Sequence, residues 1–159
     1  MNNTNFQLPE GFEGGFTVAE LRKNDDLIPC EQGVYVVVRK SSENPSFLQN
    51  GSGGAFKGKK PNVPISELQM NWVKGETVVY IGMTNQTLRK RVRTYLRFGN
   101  GEPVGHWGGR FIWQLADHED LVFYWKPMPD GSPEEYESEL IAGFKMANGG
   151  LRPFANLKD

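Results

Sequence analysis

Two β-rich runs, Gly33-Val34-Tyr35-Val36-Val37-Val38 and Val78-Val79-Tyr80-Ile81-Gly82, constrain what this chain can fold into more than anything else in it. Val, Ile and Tyr lose side-chain freedom in a helix and pack well on a pleated surface, so both runs read as strands. A third run, Leu121-Val122-Phe123-Tyr124-Trp125, is stopped by Pro127, Pro129 and Asp130-Gly131. Between the first two lies a long connection rich in Ser, Gly, Asn and Pro, SSENPSFLQNGSGGAFKGKKPN.

Helical signals fill the intervals. Thr17-Val18-Ala19-Glu20 has capping-box spacing and opens a short helix. Inside the connection, Ile65, Leu68, Trp72 and Val73 recur at i, i+3, i+7 and i+8, interrupted by polar Gln69. That stripe favours an amphipathic helix and an insertion that docks on the body. LRKRVRTYLRF follows the second strand as a basic helix. GHWGGRFIWQLAD reads as a loop running into a helix, although FIWQL alone has strand character. Ser132-Pro133-Glu134-Glu135 supplies an N-cap, a first-turn proline and a capping-box acid, and Asn148-Gly149-Gly150 a C-cap.

The expected fold is α+β, with a small three-stranded antiparallel or mixed sheet flanked by helices and an insertion over about 40–76 between the first two strands. Residues 1–15 read as a flexible N-terminal segment and 16–159 as a single domain. No apolar stretch reaches the roughly 20 residues that span a bilayer, and MNNTNFQLPEGFEGG lacks signal-peptide blocks, so a cytoplasmic, non-membrane protein is expected. The single Cys30 reads as a small buried hydrophobe in a reducing compartment.

A formal net charge of −1 excludes nucleic-acid binding through a global basic field, so polyanions must be met by a local patch. Arg89, Lys90, Arg91, Arg93 and Arg97 provide one. On that helix Leu88, Val92, Tyr95 and Leu96 form the apolar face, with Arg91 one turn before Tyr95 at its edge. Arg89, Arg93 and Arg97 form a separate stripe suited to a phosphate backbone, or merely to solvent. Lys57, Lys59 and Lys60 of the insertion, with Arg110, complete the candidate nucleic-acid contacts. Gly53, Gly58 and Lys59 have phosphate-loop spacing, but Lys60 replaces the Ser or Thr that binds Mg²⁺, so a basic loop is the better reading.

On the last helix Glu137 lies in the middle of an apolar face made by Tyr136, Leu140, Ile141 and Phe144. An unpaired charge there is costly, so it must meet an arginine or a metal. Tyr35 and Tyr80 read equally well as half-buried aromatics. His106, between Gly105 and Trp107, reads as a surface histidine in preference to a proton shuttle or phosphate donor.

In this order, GVY, YIG, LRKRVRTYL, YESELIAGF and RPFAN resemble the motifs of the GIY-YIG nuclease family, over roughly Ile28 to Leu157. The resemblance implies a small central sheet with helices around it. It makes Tyr35 and Tyr80 the phenols near a nucleophilic water, Arg91 the transition-state arginine, Tyr95 its helical companion and Glu137 the ligand of Mg²⁺ or Mn²⁺. Asn156, Gly82 and His106 become supporting residues. Two features depart from the family: Met83 stands where many relatives have lysine, and the link between Tyr35 and Tyr80 is far longer than usual.

The expected function is metal-dependent DNA cleavage, on double- or single-stranded substrates. Recognition would fall to the insertion, the N-terminal segment, a homodimer or a partner subunit. The rivals are a non-catalytic nucleic-acid-binding module and a protein-interaction domain on the same scaffold.

Overall fold

In the structure, a computed structural model that describes residues 4–158, the sheet has four antiparallel strands in the order β1-β4-β2-β3. They are β1 (Glu13–Thr17), β2 (Gly33–Val38), β3 (Val78–Thr84) and β4 (Val122–Pro127). Four helices surround them: α1 (Val18–Lys23), α2 (Ile65–Asn71), α3 (Leu88–Gly99) and α4 (Pro133–Ala147). The α+β class stands; the expected count of three strands is corrected to four.

The added strand is β1, an exposed edge whose Glu13, Gly14 and Gly15 carry no alternating apolar pattern. It forms because β4 offers a free ladder, and because Gly14 and Gly15 take φ of 99° and 85° at a bulge that bends the strand onto β4. Phe16 then stacks on Trp125 at 6.0 Å. The N-terminal segment before it, expected to be loose, is anchored within its described part. Phe6 is buried against Phe144, and the buried Glu76 carboxylate accepts from the Asn5 and Phe6 amides. Residues 1–3 of that segment lie outside the described residues.

Strands β2 and β3, read from the sequence runs, bury both faces. Val34 and Val36 of β2, with Val78 and Ile81 of β3, pack against Leu140, Ile141 and Phe144 of α4. Tyr35 and Val37 face the other way, toward Val92, Tyr95 and Leu96 of α3. The register slips by one between Val37 and Val38, which leaves Val79 as a bulge on β3. That bulge is what places Val79 and Tyr80 in the same cluster while Ile81 turns to the opposite one.

Sequence signals at helix ends are realised. Thr17 and Glu20 form the reciprocal capping box, and Ser132 accepts from the Glu135 amide with Pro133 in the first turn. GHWGGRFIWQL becomes a 3₁₀ stretch, Trp107–Gln114, kinked at Gly109, and not a regular helix or strand. Cys30 is exposed, which corrects its assignment to the interior.

The insertion docks, as its stripe predicts. Trp72, just beyond α2, meets the Phe154 ring at 5.1 Å and Phe47 at 6.0 Å. Gln114, buried in the body, holds both ends of the loop. Its amide donates to Leu48 O and Val63 O at 3.0 Å each and accepts from Val63 N at 3.0 Å. One side chain with both donors and an acceptor thus replaces a strand pair across the loop's stem.

Candidate active site

Pairing across β2 and β3 sets the site. Tyr35 lies directly opposite Gly82, and Tyr80 opposite Val37, so the two phenols are diagonal neighbours on one sheet face. Their rings are 6.1 Å apart. Tyr95 of α3 closes on both, at 5.4 Å from Tyr80 and 6.4 Å from Tyr35, and donates its hydroxyl to Gly109 O at 2.6 Å.

The fourth ring is His106. Expected at the surface, it is fully buried, a correction with a clear cause: the loop after α3 folds inward and lays the imidazole flat on Tyr95, 3.5 Å away at 8°. Arg91 ties that loop down by donating to Gly105 O at 3.0 Å. His106 Nε2 sits 2.7 Å from the Tyr35 hydroxyl. Its burial was hidden in the sequence because a glycine-flanked loop has no periodicity. The signal available was the glycines themselves, since a side chain at Gly109 would overlap the Tyr95 hydroxyl.

Burial governs the ionisation of all four rings. Desolvation pushes the Tyr35 phenol up to about 12, against a smaller opposing pull from Arg91. Tyr80 and Tyr95 are raised well above the usual phenol value, again chiefly by burial. His106 is held well below the usual imidazole value, first by burial and then by the Arg91 charge, so it stays neutral. Arg91 therefore does not convert these phenols to phenolates in the folded chain; the net shift is upward.

Tyr35, Tyr95 and His106 are sealed from solvent, and Tyr80 is the phenol that reaches a cleft of about 190 Å³. Glu137, Gly108, Asn156 and Lys158 line the same cleft. Glu137 projects from α4, half-buried, and no hydrogen bond or ion pair within 4 Å engages its carboxylate among the described residues. Its pKa is raised, first by burial and next by Glu134, against a partial opposing effect of Lys158. Among the described residues no group of three or more His, Cys, Asp and Glu side chains converges. A divalent ion here would take one protein carboxylate and complete its shell with water and substrate oxygens, a donor set that suits Mg²⁺ or Mn²⁺.

Asn156 and Gly82 support the site through the backbone. Asn156 accepts from Ile81 N at 3.0 Å and donates to Ile81 O at 2.8 Å, clamping β3 between Tyr80 and Gly82. Gly82 leaves room for the Tyr35 ring.

The cationic stripe of α3 is engaged within the molecule. Arg93 pairs with Asp25 at 2.7 Å and Arg97 with Glu102 at 2.9 Å, while Arg89 donates to Ile28 O and Asp26 O at 2.9 Å. Arg110 stacks on Trp107, 4.5 Å from the ring. Lys57, Lys59 and Lys60 are exposed at the insertion tip, where Lys57 takes φ of 51° in a tight turn closed by Phe56 and Lys59. Among the described residues none of these three lysines forms an ion pair.

No protein-family model matches the chain, and no curated protein or solved structure matches it either. Among the described residues no helix is long and apolar enough to cross a membrane.

Proposed function

We propose that this chain is a metal-dependent endonuclease that hydrolyses DNA phosphodiester bonds, of the GIY-YIG type its motifs resemble. The observation that carries the reading is one cleft shared by an unpaired, half-buried carboxylate and a phenol. Glu137 and Tyr80 line it together, and Arg91, Tyr35 and His106 stand behind Tyr80. A lone carboxylate kept ionisable beside a hydroxyl is costly for the fold and useful for a phosphate.

In this scheme the Tyr80 hydroxyl oxygen accepts a hydrogen bond from the attacking water and so aims the water's lone pair at phosphorus. As the new P–O bond forms, the P–O bond to the leaving sugar oxygen breaks, and the proton lost by the water ends on that departing oxygen. Arg91, one turn from Tyr95 on α3, offsets negative charge that grows on the phosphoryl oxygens in the transition state. Glu137 would hold a bound Mg²⁺ or Mn²⁺, and such an ion would supply positive charge to the phosphate undergoing hydrolysis. Lys158 at the rim and the lysines of the insertion tip hold neighbouring phosphates. Cytoplasmic action on DNA fits this reading.

Incubation of supercoiled plasmid with the protein and Mg²⁺ or Mn²⁺ tests it. Cleavage by the wild type, and its loss in Glu137→Ala and Arg91→Ala variants that remain folded, is the expected result. Full activity in either variant, or cleavage indifferent to chelation, overturns the assignment. A non-catalytic binding module would instead hold DNA with no divalent requirement.

A further inference from the structure

A second pocket adjoins the cleft. It encloses about 170 Å³ between the end of α2 and segment 150–156, and Asn156 lines both cavities. Met70 and Trp72 stand on one side of it, Leu151 and Arg152 on the other. Four large apolar side chains are exposed among the described residues: Leu27, Met70, Met146 and Leu151. Two of them line this one pocket, Met70 at 84% and Leu151 at 55% exposure. The frame behind them is rigid. Trp72 packs on Phe154 at 5.1 Å and carries the Arg39 guanidinium at 5.2 Å, while Asn156 is clamped to Ile81.

The polar groups define the ligand that fits. Among the described residues Arg152 is the one charged side chain of the lining, so the pocket favours an anion. Its Nη1 donates to Leu157 O at 3.0 Å, and because Leu157 lines the cleft, the guanidinium sits between pocket and cleft. Asn71, also in the lining, donates to Glu67 O at 2.8 Å, and its side-chain oxygen meets no donor among the described residues. A flat apolar face, an edge with amino groups and an adjoining phosphate are the three parts of a nucleotide. A paired base keeps its faces inside the helical stack, and only an unpaired one offers them to side chains. We propose, resting on the nuclease reading above, that this pocket is a subsite for one unpaired nucleotide of the strand being cut. The base lies against Met70 and Leu151, whose soft sulfur and methyl groups suit a ring face. Its amino edge reaches Asn71 Oδ1, and Arg152 takes the phosphate between that nucleotide and the cleft. The insertion thereby supplies one wall of a substrate-reading site. The preferred substrate carries a single-stranded nucleotide beside the cut, in place of a continuous duplex.

The test is binding in EDTA, where no divalent ion supports cleavage, to a short labelled single strand and to the matching duplex at one fixed salt concentration. The double variant Met70→Ser, Leu151→Ser changes two exposed side chains and keeps the fold. Its affinity for the single strand should fall about tenfold, and the ratio of single-strand to duplex affinity should fall with it. A 2-aminopurine base moved along the single strand should change its fluorescence at one position on binding the wild type, and not on binding the variant. Unaltered single-strand affinity, an unaltered ratio, or a probe response that survives in the variant overturns the proposal. Cleavage is scored separately with Mg²⁺ or Mn²⁺. A wild type that cuts DNA while the variant binds single strands normally loses the subsite and keeps the nuclease reading. A wild type that shows the position-specific probe response without ever cutting keeps the nucleotide pocket and loses the nuclease reading.

Discussion

Gly82 lies directly across the strand pair from Tyr35, and the Tyr35 phenol fills the space that a side chain at Gly82 would need. A Cβ placed there would stand 2.5 Å from Tyr35 Cζ and 2.6 Å from its hydroxyl oxygen. The ring cannot yield freely, because Tyr95, Tyr80 and His106 surround it. Gly82→Ala is therefore expected to cost about 1–3 kcal/mol of stability by overpacking. It should also reduce plasmid cleavage beyond what the lost folded fraction explains, because the Tyr35 hydroxyl is pushed off His106. Urea unfolding and cleavage of the same preparation measure both; wild-type values of each would show that the ring has room to move.

Glu137 offers a trade between stability and activity. Its folded pKa is raised, first by burial, so the folded state binds the proton more tightly than the unfolded one. The carboxylate's ionisation then opposes folding, and the penalty appears as pH rises from the ordinary glutamate value through the folded pKa. At neutral pH without divalent ions, Glu137→Gln should raise Tm by a few degrees and abolish cleavage. Added Mg²⁺ or Mn²⁺ should raise the wild-type Tm by mass action and leave the variant unmoved. A variant less stable than wild type at neutral pH would contradict this account.

The two basic surfaces should behave differently toward DNA. Arg93 and Arg97 are paired with Asp25 and Glu102, whereas Lys57, Lys59 and Lys60 are exposed and outside any ion pair among the described residues. Each phosphate contact contributes about 0.9 to the slope of log K against log salt. Converting the three lysines to Gln should lower that slope by about 2–3 in anisotropy titrations of a labelled duplex. Arg93→Gln and Arg97→Gln should leave the slope nearly intact and cost about 0–1 kcal/mol of stability each. The reverse ordering would return the α3 stripe to the DNA.

Acid should destabilise the fold through its buried imidazole. The folded pKa of His106 is lowered, so below an unfolded value near about 6.5 the unfolded chain binds the extra proton. Stability is complete above that pH and is lost as pH falls from it toward the folded value, at up to about 1.4 kcal/mol per pH unit. His118 is lowered too, mainly by partial burial, and adds in the same direction. The groups against His106 are the Arg91 guanidinium and the phenols of Tyr35, Tyr80 and Tyr95, and the phenols, all raised by burial, do not titrate in this range to compensate. Denaturation midpoints between pH 5 and 7 should flatten in His106→Phe more than in His118→Gln. Equal slopes in wild type and His106→Phe would mean that the ring is reached by water.

Much of this arrangement was legible because it repeats with the period of its element. The β-branched runs marked β2 and β3, the apolar stripe of α3 marked Tyr95 and Arg91, and a lone acid on the apolar face of α4 marked Glu137. What escaped has no period. β1 is held by backbone bonds to β4 and by glycines in left-handed geometry, neither of which leaves a hydrophobic pattern. His106 is placed by tertiary contacts between a glycine-rich loop and α3. The neutralisation of the arginine stripe depends on acids more than 60 positions earlier for Arg89 and Arg93, a pairing that only the folded chain reveals. The bulge at Val79 shows the same limit, since strict alternation would have put Tyr80 on the face opposite to Val79.

The clamp of Asn156 on Ile81, with the Ala155 amide bonded to Val79 O at 2.8 Å, has a consequence for how these molecules behave together. β3 is the last strand of the sheet, and its outer ladder would otherwise stand open beside the cleft. An open ladder is a template for another chain. The short RPFAN segment thus acts as a self-supplied plug. Displacing it would expose the backbone groups of Val79 and Ile81 and let the sheet of one molecule continue into the next, so that the strand bearing Tyr80 would be consumed by self-association.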